Sequence, residues 1–237
     1  MNRIDGRVSD QVREITITPH IYEYAAGSVL FSLGKTKVLC AVTLAEGVPP
    51  FLRGKGSGWL TAEYAMLPVA TVARSPRDST ICKRNGRSIE IARMIGRCMR
   101  CVTALEALGE RTIMIDCDVL QADGSTRCAA LCGVQIALDM AVGQWLETGI
   151  ITQSIIEKRL AAVSVGLLGG EPLLDLSAHE DNQIDTDFNF VLTHDGDIIE
   201  IQGTAEAVPV TWEQFDRLRH LALTGTQHIV QTIKQLV

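Results

Sequence analysis

Three stretches of this chain carry side chains suited to chemistry on a phosphate group. In "NGRSIEIARMIGRCMR" (85–100) Arg87 stands where a helix begins. In "DVLQADGSTRCAA" (118–130) the run Gly124, Ser125, Thr126, Arg127 leads from a strand into the next helix. A helix start offers unpaired N–H groups and the positive end of the helix dipole, so both places suit an anion. The hydroxyls of Ser125 and Thr126 and the planar forks of the two arginines add donors matched to phosphate oxygens. Taken alone, the Gly-Ser-Thr-Arg turn also reads as ordinary capping, because Ser and Thr are common N-caps.

The third stretch is "LLDLSAHEDNQIDTDFNF" (173–190), inside a region (171–201) with nine acids and no Lys or Arg. Asp175, Asp181, Asp185 and Asp187 fall between and beside strands. Close carboxylates raise one another's pKa, so one can hold a proton near neutral pH and act as an acid. They also suit Mg²⁺, or simply balance the basic segment as a polar loop. Together the three stretches supply arginines for an oxyanion, a phosphate cradle and a carboxylate acid or base, the parts of phosphoryl transfer. No P-loop is present, since "GKGSG" is too short and the Lys-Ser end is missing, and no G-x-G-x-x-G stands at a strand-to-helix turn.

Charge is segregated. The net charge is −6, yet Arg74 to Arg100 holds eight cations (74, 77, 83, 84, 87, 93, 97, 100) against Asp78 and Glu90. The overall acidity argues against a generic nucleic-acid binder, whereas this local excess marks a place that meets an anion or another subunit. The plainer alternative is a solvated loop and helix face.

These residues must be placed by ordinary elements. Alternation and β-branched residues predict strands at 14–19, 27–34, 36–46 and 59–67, with a loop over "GVPPFLRGKGSG". Most of 74–86 reads as loop. Helix takes over near Arg87, with Ile91, Ile95, Cys98, Met99 and Val102 at helical spacing. Arg93, Arg97 and Arg100 form a cationic stripe beside that apolar one, so they and the loop arginines are expected to share a surface. A strand at 111–124 precedes a helix from about Arg127 to Leu146, whose apolar face is Ala130, Val134, Leu138 and Val142. Two hairpins follow, turning at Gly169-Gly170 and at "HDGD", and a last helix starts at a Thr211/Gln214 capping box. Strands joined by hairpins and interrupted by helices make an α+β fold, a single domain over 1–237 with a weak suggestion of two similar halves.

The seven cysteines lie mostly in apolar runs and read as reduced core thiols, with a metal or redox role as the alternative for Cys98-x-x-Cys101. No charge-free run approaches the roughly 18 residues of a membrane span. The polar N-terminus lacks a signal-peptide stretch, so a cytoplasmic protein without a membrane partner is expected.

The chain resembles the ribonuclease PH family of phosphate-dependent 3′-to-5′ exoribonucleases. The resemblance is carried by "RIDGR", "VTLAEGVPPFLRGKGSGWLTAEYAMLP", "NGRSIEIARMIGR", "ERTIMIDCDVLQADGSTR", "LAAVSVGL", "LLDLSAHEDNQIDTDFN" and "IEIQGTAE", in order over nearly the whole chain. It implies two similar α+β halves and a homohexameric ring, a trimer of dimers. It also implies phosphorolysis: inorganic phosphate as co-substrate attacks the 3′-terminal phosphodiester of RNA, and nucleoside 5′-diphosphates leave. The implied substrates are tRNA precursors and other RNA 3′ ends, including structured rRNA.

By the same resemblance, phosphate binding falls on Arg87, Ser125, Thr126 and Arg127, with Ser125 replacing the family's usual glycine. The two functional aspartates fall on Asp181 and Asp187, where Asp187 is the first choice for the acid and Asp181 orients it or a Mg²⁺ ion. RNA gripping outside the site falls on Arg74 and Arg77, while Val69 replaces a third arginine of that set. Arg93 and Arg97 join the RNA-binding residues from the cationic stripe. The rival functions are a non-catalytic RNA-binding ring subunit of the same fold and a metal-dependent hydrolytic nuclease.

Overall fold

The computed structural model describes residues 3–83, 85–206 and 208–236. Arg84, one of the eight cations, lies outside the described residues.

The first sheet begins as a meander of β1 (Ile15–Pro19), β2 (Gly27–Leu33) and β3 (Thr36–Glu46). The next strand in the chain, β4 (Trp59–Met66), does not join β3. Instead β5 (Arg111–Gln121) inserts between them, antiparallel to β3 and parallel to β4, giving the order β1-β2-β3-β5-β4. The expectation that consecutive strands meet through hairpins fails here. Parallel neighbours need a long crossover, and the segment from 67 to 110 supplies one. It carries α1 (Asp78–Ile81), a single turn inside the segment read as loop, and α2 (Gly86–Cys101).

Asn85 sets the start of α2 by accepting from the Arg87 amide at 2.9 Å. The apolar positions Ile91, Ile95, Cys98 and Met99 are buried, as their spacing requires. In β5 the buried Ile113, Ile115, Cys117 and Val119 alternate with the exposed Met114 and Asp116, so one face of this sheet is open.

The second sheet is antiparallel, ordered β7-β6-β8-β9. It contains β6 (Leu160–Leu168), β7 (Glu171–Leu174), β8 (Thr186–Thr193) and β9 (Ile198–Ala205). The first eight residues of β6 are buried without alternation. The helix α3 (Thr126–Glu147) and the last helix, α5 (Trp212–Leu236), both pack against that strand. The predicted cap of α5 is present: the Gln214 amide donates to Thr211 Oγ1 at 3.2 Å and the Thr211 amide to Gln214 Oε1 at 2.9 Å. A short helix, α4 (Ala178–Asp181), interrupts the acidic stretch and has its own Ser177/Glu180 capping box.

The helix α3 is the centre of the molecule. It is long and apolar enough to cross a membrane by length and composition. Its surroundings explain that composition: it packs on β2 and β3 on one side and on β6 on the other. Beyond the expected face of Ala130, Val134, Leu138 and Val142, it also buries Leu131, Ile136 and Trp145. One hydrophobic core therefore runs from the first sheet through α3 to the second. Five cysteines are buried, and Cys82 and Cys101 are exposed.

Candidate active site

Arg87, Ser125, Thr126, Arg127, Asp181 and Asp187 line one cavity of about 400 Å³. They arrive from four pieces of local structure. Arg87 is in the first turn of α2, and Thr126 and Arg127 begin α3. Asp181 ends α4, and Asp187 is the second residue of β8.

The turn into α3 is held from several sides. Thr36 Oγ1 donates to the Gly124 carbonyl at 2.7 Å and accepts from the Asp123 amide at 2.8 Å. Gly124 has φ +79°, and a Cβ there would lie 2.4 Å from the Leu176 carbonyl oxygen. Only glycine combines that conformation with that approach. Ser125 follows at φ +54°, also left-handed.

The Ser125 side chain does not cap α3, contrary to the capping reading. Its hydroxyl lies 2.6 Å from Ser164 Oγ, 2.9 Å from the Leu176 carbonyl and 3.3 Å from Asp175 Oδ1. The hydroxyl is thus spent on the scaffold, while the first amides of α3 keep no intrahelical acceptor and remain donors at the cavity. Thr126 is steadied by the buried Tyr64, whose phenol donates to its Oγ1 at 3.0 Å, and burial raises the phenol's pKa.

Arg127 is also held in place. Its Nη1 donates to Gln202 Oε1 and lies 3.6 Å from Glu90 Oε1. Gln202 in turn donates to Glu200 at 2.8 Å and to Glu90 at 3.2 Å.

Both aspartates are pushed above the ordinary carboxylate range. For Asp187 burial is the main cause, the negative charges of Asp181 and Glu206 add to it, and Arg127 opposes it. For Asp181 burial again leads, Arg87 opposes it, and Glu206 adds. An acid that keeps its proton to higher pH now shares a cavity with two arginines and a helix start, which suits proton delivery beside a bound anion.

Glu206, Asn182, Asn189 and Ser164 also line the cavity and were missed in the sequence. The hairpin register carried a signal for Glu206. Counting from the "HDGD" turn pairs Thr204 with Asp187, which brings the next carboxylate to the same end of the sheet.

Asp175 and Asp185 do not line the cavity. Asp175 is 0% exposed and accepts from the Arg13 amide at 2.8 Å and from its guanidinium at 2.8 and 2.6 Å. Asp185 Oδ2 accepts from the Gly169 amide at 2.7 Å and ties the turn between β6 and β7. Both hold scaffold.

Arg74 and Arg77 are exposed, and Arg77 lines an adjoining cavity of about 380 Å³ that shares Arg87. Arg93 and Arg97 line a further cavity of about 690 Å³ with Trp59 and Arg100. Arg97 pairs with Glu200 at 2.9 and 3.1 Å, and Arg100 lies 4.5 Å over the Trp59 ring. Arg93 also lines a cavity of about 390 Å³ that shares Tyr64, Asp78 and Ser88 with the Arg77 cavity and Thr61 and Ala92 with the Arg97 cavity. The loop and helix cations thus border one run of adjoining cavities, as expected. At 3.6 residues per turn, Arg93 stands roughly 120° around α2 from Arg87.

Comparison with known proteins agrees with this architecture. Models of the 3′ exoribonuclease family match residues 11–142 (domain 1) and 158–225 (domain 2). Ribonuclease PH of Neisseria meningitidis serogroup C is 49% identical over 226 residues, covering 95% of this chain and 93% of the relative. Ribonuclease PH of Syntrophomonas wolfei is 47% identical over 237 residues, covering 100% and 99%. Among solved structures, rice Rrp46 superposes with a TM-score of 0.80 at 19% identity, covering 98% of both chains. The Archaeoglobus fulgidus exosome with RNA bound to its active site superposes at 0.82 and 22% identity, covering 98% of this chain and 92% of that one.

Proposed function

The chain belongs to the 3′ exoribonuclease family, and from that premise we propose how its cavity carries out the reaction. The reaction class is phosphorolytic 3′-to-5′ exonucleolysis of RNA, a nucleotidyl transfer to inorganic phosphate.

Arg87, Thr126 and Arg127 hold the phosphate, with Ser125 contributing its backbone N–H because its hydroxyl is engaged elsewhere. Phosphate and phosphodiester repel, and the two guanidinium groups offset that repulsion while aligning the nucleophile for in-line attack. A phosphate oxygen forms a bond to the terminal phosphorus as the P–O3′ bond breaks. Asp187, whose pKa is raised by burial and then by the Asp181 charge, gives its proton to the departing 3′ oxygen. A nucleoside 5′-diphosphate and an RNA one nucleotide shorter result. A phosphoanhydride replaces a phosphodiester, so the step runs nearly reversibly and adds nucleotides from diphosphates when phosphate is scarce.

Asp181 and Asp187 also fit Mg²⁺, which is typically bound through one or two carboxylates and the substrate's own phosphates. Among the described residues no group of three or more His, Cys, Asp or Glu is placed to hold a metal by protein alone. When bound, the ion would supply further neutralisation of phosphate charge.

The RNA substrates are tRNA precursors and other structured RNA 3′ ends, gripped along the backbone by Arg74 and Arg77 and, farther out, by Arg93 and Arg97. Val69 replaces one cation of that grip. The shared core supports treating 1–237 as one domain, which assembles as a cytoplasmic homohexamer, a trimer of dimers, without a membrane partner.

The observation that carries this reading is the convergence of two arginines, a helix start and two aspartates of raised pKa on one cavity. The test is to incubate the protein with a tRNA bearing a few extra 3′ nucleotides, with and without phosphate. Diphosphates released only with phosphate are expected. Monophosphates without phosphate would mean metal-dependent hydrolysis, and bound but intact RNA would mean a non-catalytic ring subunit.

A further inference from the structure

Residues 3–13 do not line the cavity, yet their arginines hold two of the elements that do. Arg3 grips Glu180 with a two-pronged contact, Nε to Oε1 at 2.6 Å and Nη2 to Oε2 at 2.7 Å. The same guanidinium donates to the carbonyls of Leu174 at 2.7 Å and Asp175 at 2.8 Å. Glu180 belongs to α4, a helix of four residues whose last member is Asp181. A single turn is not stable by itself in water, because the first hydrogen bond does not repay the ordering it requires. Its orientation, and hence that of Asp181, is therefore set by outside contacts, and the Arg3 fork is the strongest of them.

Arg13 makes the second clamp. Its amide and guanidinium reach both oxygens of the fully buried Asp175 at 2.6–2.8 Å. Asp175 Oδ1 then lies 3.3 Å from the Ser125 hydroxyl at the turn into α3. Arg7 bridges the clamps, 3.3 Å from Asp175 and 3.6 Å from Glu180. Buried charge networks of this kind are weak sources of stability, since well-packed apolar residues often do as well. What such a network provides is a defined geometry on both sides of the cavity.

We infer that the N-terminal arm is a positioning element for catalysis, in which Arg3 acts through Glu180 on Asp181 and Arg13 acts through Asp175 on the phosphate-binding turn. The inference rests on the roles proposed above for Asp181 and for that turn. Its mark is separability. Loosening α4 displaces the carboxylate that shares the cavity with the proton donor Asp187 and lowers kcat, whereas loosening Ser125 disturbs the phosphate donors and raises the KM for phosphate.

The test uses full-length variants on a short RNA with a free 3′ end, well below each variant's Tm. Arg3→Met is expected to lower kcat roughly tenfold to hundredfold, the scale of an ångström misplacement, with phosphate KM within about twofold. Asp175→Asn is expected to raise phosphate KM roughly tenfold, with the smaller change in kcat. Ile229→Ala, a core truncation in α5, serves as a control matched for loss of Tm and is expected to leave both constants alone. Arg3→Lys keeps the charge without the fork and replaces Arg3→Met if that variant does not fold; the same direction is expected.

A double variant decides whether Arg3 works through the aspartate. Arg3→Met combined with Asp181→Asn should be no slower than Asp181→Asn alone. Independent, additive losses would overturn the inference. So would equal slowing by Arg3→Met and Ile229→Ala, or parallel changes in kcat and KM for Arg3→Met and Asp175→Asn. Full activity in Asp181→Asn would instead overturn the catalytic reading of that aspartate, and this inference with it.

Discussion

The phenol of Tyr64 lies 3.0 Å from Oγ1 of Thr126 and is the donor in that contact. A hydroxyl that accepts still has its own proton to give, and Thr126 stands at the edge of the phosphate cavity. In the proposed site, this contact leaves the Thr126 proton free for the phosphate. Tyr64→Phe removes that one contact and little volume. Phosphate KM should rise about fivefold, the equivalent of roughly 1 kcal/mol for one hydrogen bond, with kcat nearly unchanged. Steady-state phosphorolysis at varied phosphate measures both.

The proton on Asp187 gives a pH test. Burial raises its pKa first, and the Asp181 charge raises it further. If Asp187 is the acid, kcat declines as pH rises through that raised value, because the proton to be delivered is gone. Asp181→Asn removes one of the upward influences, so in its residual activity the decline should begin at lower pH. A kcat–pH profile whose alkaline limb stays in place would count against the assignment.

Acid stability reads the Arg3–Glu180 pair. Burial alone would push the Glu180 carboxyl up, but the Arg3 fork and the Ser177 contacts outweigh it and hold the pKa near about 2 against an ordinary 4.5. A depressed carboxylate contributes stability in full above 4.5 and loses it as pH falls toward about 2. Denaturant unfolding across that window should show a steeper loss for the parent protein than for Glu180→Gln, which has no proton to take up there. Parallel curves would show that this pair does not shape the acid limb.

Ser125 occupies a left-handed conformation that disfavours any side chain. Its three hydroxyl contacts offset that cost. Ser125→Ala keeps the strain and loses the contacts, whereas Ser125→Gly loses both. Ser125→Ala should therefore be the less stable of the two by about 1 kcal/mol, and should show the larger rise in phosphate KM. Thermal melts and phosphate titrations of the two variants settle the order.

Arg74 and Arg77 are exposed and do not line the cavity of Asp181 and Asp187, although Arg77 lines the adjoining one that shares Arg87. Replacing either with Ala should weaken RNA binding and lower the salt slope of log affinity by about 1. The phosphate KM should not change. Filter binding of a tRNA precursor at several salt concentrations measures the slope.

The elements were readable where the signal is local. The alternation in β5, the helical spacing of Ile91, Ile95, Cys98 and Met99, and the Thr211/Gln214 cap depend on residues a few positions apart, and each appears as read. The motifs also placed Arg87, Thr126, Arg127, Asp181 and Asp187 together, because a helix start announces itself in sequence and the family resemblance covers the rest.

Other features depend on contacts far apart in the chain. Asp175 and Asp187 are chemically the same side chain twelve positions apart, yet one is locked to Arg13 across 162 residues and the other lines the cavity. The insertion of β5 between β3 and β4 is of the same kind. Glu206 is reached only by counting the hairpin register, because the aspartates it acts on belong to other elements. The sequence by itself determined the inventory of elements and most of the reactive groups, since short-range periodicity, capping and motif order suffice for those. Only the tertiary structure decided which carboxylates line the cavity and which are locked against arginine, because desolvation and charge pairing are set by neighbours that sequence distance does not reveal.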